Sequence, residues 1–257
     1  MYYTTIETRK PLIATLDLGG LNMKIFLPDI VRPNGSLDLT ELPDTNKTIY
    51  ISVMGQDGSG KTTLRNNLAD FFEAQGNTVI TAKSPCDKYL VGLLNNAISQ
   101  NGYNDWYTEQ LLFSFADGLL SNYMVQLKGH CDYFICQRGP ADQYDHGITR
   151  SGRTYEQIHE IQRPERLAKF DMYIHMNCDA KVAWNRIRND EDKDRYEYPE
   201  YFDTQVKNTK ALYDNICNVS EYPSLQFMAD AKHIYVDSTY LSIDQVFEIV
   251  LKEMNGR

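Results

Sequence analysis

Positive charge is scarce in this sequence. Lys and Arg total 26 against 35 Asp and Glu, giving a formal net charge of -9. Broad adhesion to duplex DNA needs Lys and Arg clustered along a groove, so a polymeric nucleic acid is argued against unless a positive face is local. A small anionic ligand held by a few arginines stays open. Cysteine is also sparse: Cys86, Cys131, Cys136, Cys178 and Cys217 are odd in number and never in CxxC spacing. That argues against a disulfide framework and for reduced thiols in a cytoplasmic protein. No apolar run is long enough to span a bilayer, so no membrane partner is expected. The opening Met1-Tyr2-Tyr3-Thr4-Thr5 lacks the basic-then-apolar pattern of a secretion signal. Internal repeats and low-complexity tracts are absent too.

What is present is a chain of 257 residues, 42% hydrophobic, enough for one α/β domain with an extension. Residues 1–47 differ from the rest. Two short apolar runs, Leu12 to Leu16 and Met23 to Leu27, flank Gly19-Gly20, and Pro28, Pro33 and Pro43 punctuate the stretch beyond them. This segment reads as a β-hairpin and loop appended to the main domain, residues 48–257. Asp17-Leu18-Gly19-Gly20 before Lys24 faintly resembles the phosphate loop of actin-like ATPases, but without partner motifs it reads as a turn.

From Thr48 onward, strand-like and helix-like segments alternate. Strands are expected at Ile49 to Met54, Thr78 to Ala82, Tyr133 to Cys136, Met172 to Met176 and His233 to Val236. Helices are expected at Thr62 to Gln75, Asp87 to Ser99, Tyr107 to Leu127, Thr154 to Ala168, Ala180 to Arg188, Glu200 to Cys217 and Ser242 to Met254. The alternation predicts an α/β three-layer fold: a five-stranded parallel sheet with helices on both faces.

One motif carries chemistry by itself. Gly55-Gln56-Asp57-Gly58-Ser59-Gly60-Lys61-Thr62 lies between a predicted strand and helix. Its glycines let the backbone wrap an anion, and the helix adds its positive end. Lys61 is placed to reach the terminal phosphates of ATP, and the Thr62 hydroxyl to hold Mg²⁺.

Four segments together give the chain a family resemblance. They are Gly55 to Thr63, Glu109-Gln110-Leu111-Leu112-Phe113-Ser114-Phe115-Ala116-Asp117, Gln137-Arg138 after a strand, and Ala183-x-x-Arg186 followed by Asp194-Arg195-Tyr196-Glu197. In order and spacing they resemble the thymidylate kinases, P-loop enzymes that move the γ-phosphate of ATP onto a nucleoside monophosphate, over about residues 48–254. The resemblance implies a nucleotide-biosynthetic transferase using ATP and Mg²⁺, and a homodimer. Position by position, it implies that Asp57 meets the acceptor sugar hydroxyl and Phe113 stacks on the acceptor base. Arg138 would clamp the acceptor phosphate. Arg186, Arg188, Lys193 and Arg195 would form a lid over ATP, with Arg195 the foremost of them.

The departures cluster on the acceptor side. Asp117 stands where thymidylate kinases have the arginine that reads the thymine carbonyl, and a one-residue slip would put Gly118 there. An ionised Asp accepts from an amino group such as that of cytosine or adenine. Gln137 replaces the family's Asp, and Asp142 or Asp145 could supply the missing carboxylate. Gly139-Pro140-Ala141 breaks the family's pattern after the clamp arginine. Two alternatives therefore stand beside a monophosphate acceptor. One is a kinase of the same fold acting on a free deoxynucleoside or a modified base in DNA. The other is a nucleotide-binding protein without transfer activity.

Overall fold

The structure is a computed structural model and describes residues 23–32, 34–99, 105–189 and 198–256. Short runs rich in Ile, Val, Tyr and Thr form the strands. They are Met23–Phe26 (β1), Ile49–Gly55 (β2), Thr78–Lys83 (β3), Tyr133–Gln137 (β4), Met172–Asn177 (β5) and Lys232–Asp237 (β6). All pair in parallel, in the order β1-β3-β4-β2-β5-β6. The helices are Lys61–Ala74 (α1), Lys88–Ile98 (α2), Trp106–Leu127 (α3), His146–Ser151 (α4), Tyr155–Gln162 (α5), Ala180–Ile187 (α6), Pro199–Asn215 (α7), Gln226–Ala229 (α8) and Ile243–Asn255 (α9).

Strand alternation builds two cores. Ile51, Val53, Val79, Ile135 and Ile174 point to one face, where Leu64, Leu68 and Phe72 of α1 and Val246 and Val250 of α9 cover them. Met54, Ile80, Phe134, Cys136 and Tyr173 point to the other, under Leu120, Tyr123 and Leu127 of α3 and Leu212 of α7. Side chains facing opposite ways along a strand and every fourth residue along a helix make this pattern inevitable once the segments form. Leu68 is fully buried, and truncating such a leucine to alanine costs about 2–5 kcal/mol.

The expected five-stranded sheet has six strands. The sixth is Met23–Phe26, read from sequence as one arm of an appended hairpin; the other arm, Leu12 to Leu16, lies outside the described residues. The run alternates half-buried with exposed residues, a pattern shared by an edge strand and a hairpin arm. Here it pairs with β3, and a Lys24–Asp70 ion pair and a hydrogen bond from Thr81 Oγ1 to the Ile25 carbonyl (3.3 Å) hold it. The helix expected from Thr154 to Ala168 stops at Gln162. Arg163 takes a left-handed φ of 47° and Pro164 follows, which lacks the N–H to continue a helix. Residues after Arg138, given no element from sequence, form a 3-10 turn over Pro140–Tyr144 and then α4. The cysteines are all free thiols, as expected. No helix among the described residues is long and apolar enough to cross a membrane.

Candidate active site

The carboxyl end of β2 is the centre of the sheet, flanked by β4 and β5, where ligands of open parallel sheets bind. The chain leaves it through three positive-φ glycines, Gly55 (115°), Gly58 (79°) and Gly60 (96°). A side chain at Gly55 would place its Cβ 1.9 Å from the Met176 carbonyl oxygen, and one at Gly58 2.6 Å from that of Ala183. Glycine is thus required by contact as well as by conformation. Helix α1 starts at Lys61, so its unpaired first-turn N–H groups open toward the loop. Gln56 and Ser59 are buried and pin the loop from behind: Gln56 Nε2 donates to the Cys178 carbonyl (2.7 Å) and Ser59 Oγ to the Gln56 carbonyl (2.7 Å).

The buried Lys61 ammonium donates to the Gly55 and Gln56 carbonyls (2.7 and 2.6 Å) and lies 3.2 Å from Asp57 Oδ1. Arg138 donates to that same Asp57 oxygen. Burial alone would raise the Asp57 pKa, but Arg138 and Lys61 overcome it and hold the carboxyl well below the usual range. Arg138 itself sits at a positive φ of 69°, before Gly139 at 148°. That sharp exit from β4 aims its guanidinium back across the sheet at the loop.

Thr62 is exposed at the mouth of the loop, and its hydroxyl donates to Gln137 Oε1 (2.9 Å). A hydroxyl and an amide oxygen converging there suit a hard cation that takes its remaining oxygens from phosphate and water. No cluster of three or more His, Cys, Asp or Glu among the described residues could hold a metal without the nucleotide. Thr62 and Gln137 offer two oxygens of the kind Mg²⁺ takes.

Two spaces open from this centre. A cavity of about 520 Å³ lies on the α1 and α9 side, lined by Gly58, Gly60, Thr63, Arg186, Ser238 and Ile243 among others. Arg186 donates to the Gly58 carbonyl (2.9 Å) and the Ser238 carbonyl (3.3 Å), bridging the loop to the end of β6. On the opposite side a cleft of about 10 Å³ is lined by Ser84, Phe113, Arg138, Gly139, Asp142, Gln143, His146 and Arg150. The Arg150 guanidinium lies over the Phe113 ring, 5.1 Å from its centroid.

A buried polar network starts at the cleft wall, where Asp142 and His146 line it. Asp142 accepts from the Gly55 N–H (3.2 Å), and His146 Nε2 donates to the Gly55 carbonyl (3.2 Å) while its Nδ1 accepts from Gln205 Nε2 (3.0 Å). Asp145 accepts from the Thr209 hydroxyl (2.6 Å). Burial drives all three toward neutrality: Asp142 is pushed up to about 6, Asp145 to about 8, and His146 well down. The two aspartates considered as replacement carboxylates thus brace the loop and α7, and it is Gln137 that meets Thr62. Asp117 is 1% exposed, behind the cleft wall, and accepts from Ser84 Oγ (3.3 Å). Burial, then the nearby Asp142, raises its pKa well above the usual range.

The structure therefore brings together Lys61, Thr62, Asp57 and Arg138, puts Phe113 on the cleft, and puts Thr63 and Arg186 on the larger cavity. Lys193 and Arg195 lie outside the described residues. Sequence reasoning missed Ser238 and Ile243. The Ser242-x-x-Gln245 capping box just after β6 was the available signal for a helix start facing the loop. It also missed Ser84, Gln143, His146 and Arg150, for which no local signal exists. A further cavity of about 670 Å³ between α7 and β6 is lined by none of the expected residues.

The chain is similar to known proteins of one family. A family model described as thymidylate kinase matches residues 53–226. A probable thymidylate kinase 1 of Saccharolobus solfataricus is 30% identical over 142 residues, 54% of this chain and 70% of that protein. A solved thymidylate kinase from Candida albicans, described as having broad substrate specificity and a novel structural element, shares the fold. Its TM-score is 0.62 at 18% identity, over 81% of this chain and 92% of that one.

Proposed function

The chain belongs to the thymidylate kinase family, and from that premise we propose that it transfers the γ-phosphoryl group of Mg-ATP to a deoxynucleoside monophosphate, giving the diphosphate and ADP. One observation carries this reading: a single carboxylate oxygen of Asp57 meets both Lys61, from the phosphate loop, and Arg138, from the acceptor cleft. The two spaces thus share a charged centre, as in-line transfer between two phosphates requires.

The roles follow from the chemistry. ATP lies with its base in the cavity beside Arg186 and its phosphates over the loop from Gly55 to Thr63. Bound Mg²⁺, next to Thr62, would neutralise charge on the donor phosphates. Lys61 releases its loop carbonyls for the phosphate oxygens, a stronger charge-assisted pairing. Arg138 clamps the acceptor phosphate, whose anionic oxygen attacks the γ-phosphorus as the bond to the bridging oxygen of ADP breaks. No base is needed, because the nucleophile is already ionised near neutral pH. Asp57, held ionised, accepts from the sugar 3′-hydroxyl. Arg195 keeps the role of lid arginine that its sequence position implies. Asp117 acts on the acceptor through Ser84 rather than by direct contact.

The test is ADP release from Mg-ATP against ribo- and deoxynucleoside monophosphates, free nucleosides and hydroxymethylated DNA. Turnover confined to monophosphates, deoxy forms ahead, is expected. Turnover only with nucleosides or DNA overturns the acceptor, and ATP binding with no turnover overturns the transfer itself.

A further inference from the structure

For Lys61 to meet a phosphate it must give up the Gly55 and Gln56 carbonyls, to which it donates at 2.7 and 2.6 Å. Both residues are buried, and a buried carbonyl stripped of its donor is costly. Each of the two has a second donor. For Gln56 it is local, the Ser59 hydroxyl at 2.7 Å. For Gly55 it comes from another element: His146 Nε2, at the start of α4, 3.2 Å away. A carbonyl only accepts, so Nε2 carries the proton. Nδ1 is left to accept from Gln205 Nε2 of α7 (3.0 Å), with the Tyr201 hydroxyl also facing it (3.4 Å). His146 is therefore a neutral imidazole, 3% exposed, whose two nitrogens tie the loop to α7. Asp142 accepts from the N–H of the same glycine (3.2 Å), with its Oδ1 3.9 Å from His146 Nε2. Both polar atoms of the first loop residue are thus held from outside the loop.

We propose that His146 is a positioning residue of the phosphate loop: it keeps the Gly55 carbonyl satisfied when Lys61 swings to the nucleotide, so the lysine leaves without orphaning a buried acceptor. This rests on Mg-ATP binding at the loop. In the empty site the Gly55 carbonyl has two donors, so losing His146 costs little there. In the occupied site His146 is the donor that stays. Its loss therefore falls on the bound state and is read as weaker ATP binding. Gln205 shares in the task, because its donation to Nδ1 keeps the protonated Nε2 turned to the loop. Helix α7 thereby helps to hold the loop at Gly55, as Arg186 of α6 does at Gly58.

The experiment is calorimetric titration of Mg-ATP into the wild type, His146→Phe and His146→Gln, with kcat and KM measured alongside. Phe keeps a planar ring without a donor, and Gln keeps a donor without the ring. His146→Phe is expected to weaken Mg-ATP binding about tenfold, the worth of one hydrogen bond to a buried group. His146→Gln should recover most of that loss. In turnover the loss should appear in KM for ATP with kcat little changed, since the lysine is released in ground and transition states alike. A residue that merely packs gives the reverse order, Phe better tolerated than Gln, and that overturns the inference; so does unchanged affinity in His146→Phe. Should His146→Phe fail to fold, the imidazole ¹⁵N signals of the wild type decide. Nε2 should be protonated and Nδ1 not, and the Nε2–H proton should move downfield on adding Mg-ATP, as Lys61 leaves the shared carbonyl. The other tautomer, or no shift, overturns the inference. The expected order without turnover overturns only the transfer reading, and a wild type that binds no Mg-ATP overturns both.

Discussion

The two sides of the proposed site are built on different plans. The donor side is one continuous stretch, Gly55 to Thr63, whose shape is dictated by three positive-φ glycines and backbone contacts to Met176 and Ala183. The acceptor side is assembled from the ends of β3 and β4, the middle of α3 and the last turn of α4. It is stiffened by Asp142, Asp145 and His146, whose pKa values burial shifts toward the neutral form. A plan written in backbone geometry leaves little freedom to vary. A plan written in side chains from separate elements can exchange one wall's donor for another's while the scaffold stands.

The contrast predicts where substitutions act. Lys61→Ala should lower turnover with every acceptor by about a thousand-fold or more, since it removes a charge aimed at the transferred group. Circular dichroism should stay native. Unchanged turnover would sink the donor-side assignment. Arg138→Lys should act on one side only, lowering kcat/KM for the monophosphate by about a hundred-fold, because Lys cannot reproduce the bidentate fork. ATP affinity, followed by titration, should stay within about twofold. An equal loss of ATP binding would show that the division into two sides is false at Asp57.

The smallest effect concerns stability. Asp145 has a native pKa raised to about 8. Below the unfolded value both states are protonated; between that value and about 8 only the native state keeps the proton. Its contribution is therefore present at low pH and lost as pH rises through this window. Asp142, raised to about 6, has the same sign over a narrower range. Asp145→Asn cannot ionise, so the fall in Tm from pH 5 to pH 8 should shrink, on the order of 5 °C. The Asp142 component would remain. Thermal unfolding that keeps the full wild-type pH slope would show that Asp145 is not the source.

Legibility from sequence follows the same division. The phosphate loop could be read because its chemistry lies in consecutive residues, and the β-rich runs and amphipathic helices gave the layers because their periods are local. Gln137 and Asp57 were found by position, but their partners were not. That Gln137 meets Thr62 and that Asp57 joins Lys61 to Arg138 depend on the register of β2 with β4. Arg150 over Phe113 depends on a turn after Gly139 that carries no periodic signal. Asp117 was legible as a departure from the family, while its burial behind Ser84 was not, because an isolated carboxylate on a helix does not announce which way the helix is rolled.

The outermost strand changes what counts as a workable fragment. The stretch that the family shares begins at residue 53, yet β3 leans on Met23–Phe26 for its second row of hydrogen bonds. Cutting the chain at the family boundary would leave β3 with a bare ladder of N–H and C=O groups, a surface to which another such strand adheres. Met23–Phe26 thus works as a selvedge, the woven border that keeps a cloth from unravelling or catching on its neighbour.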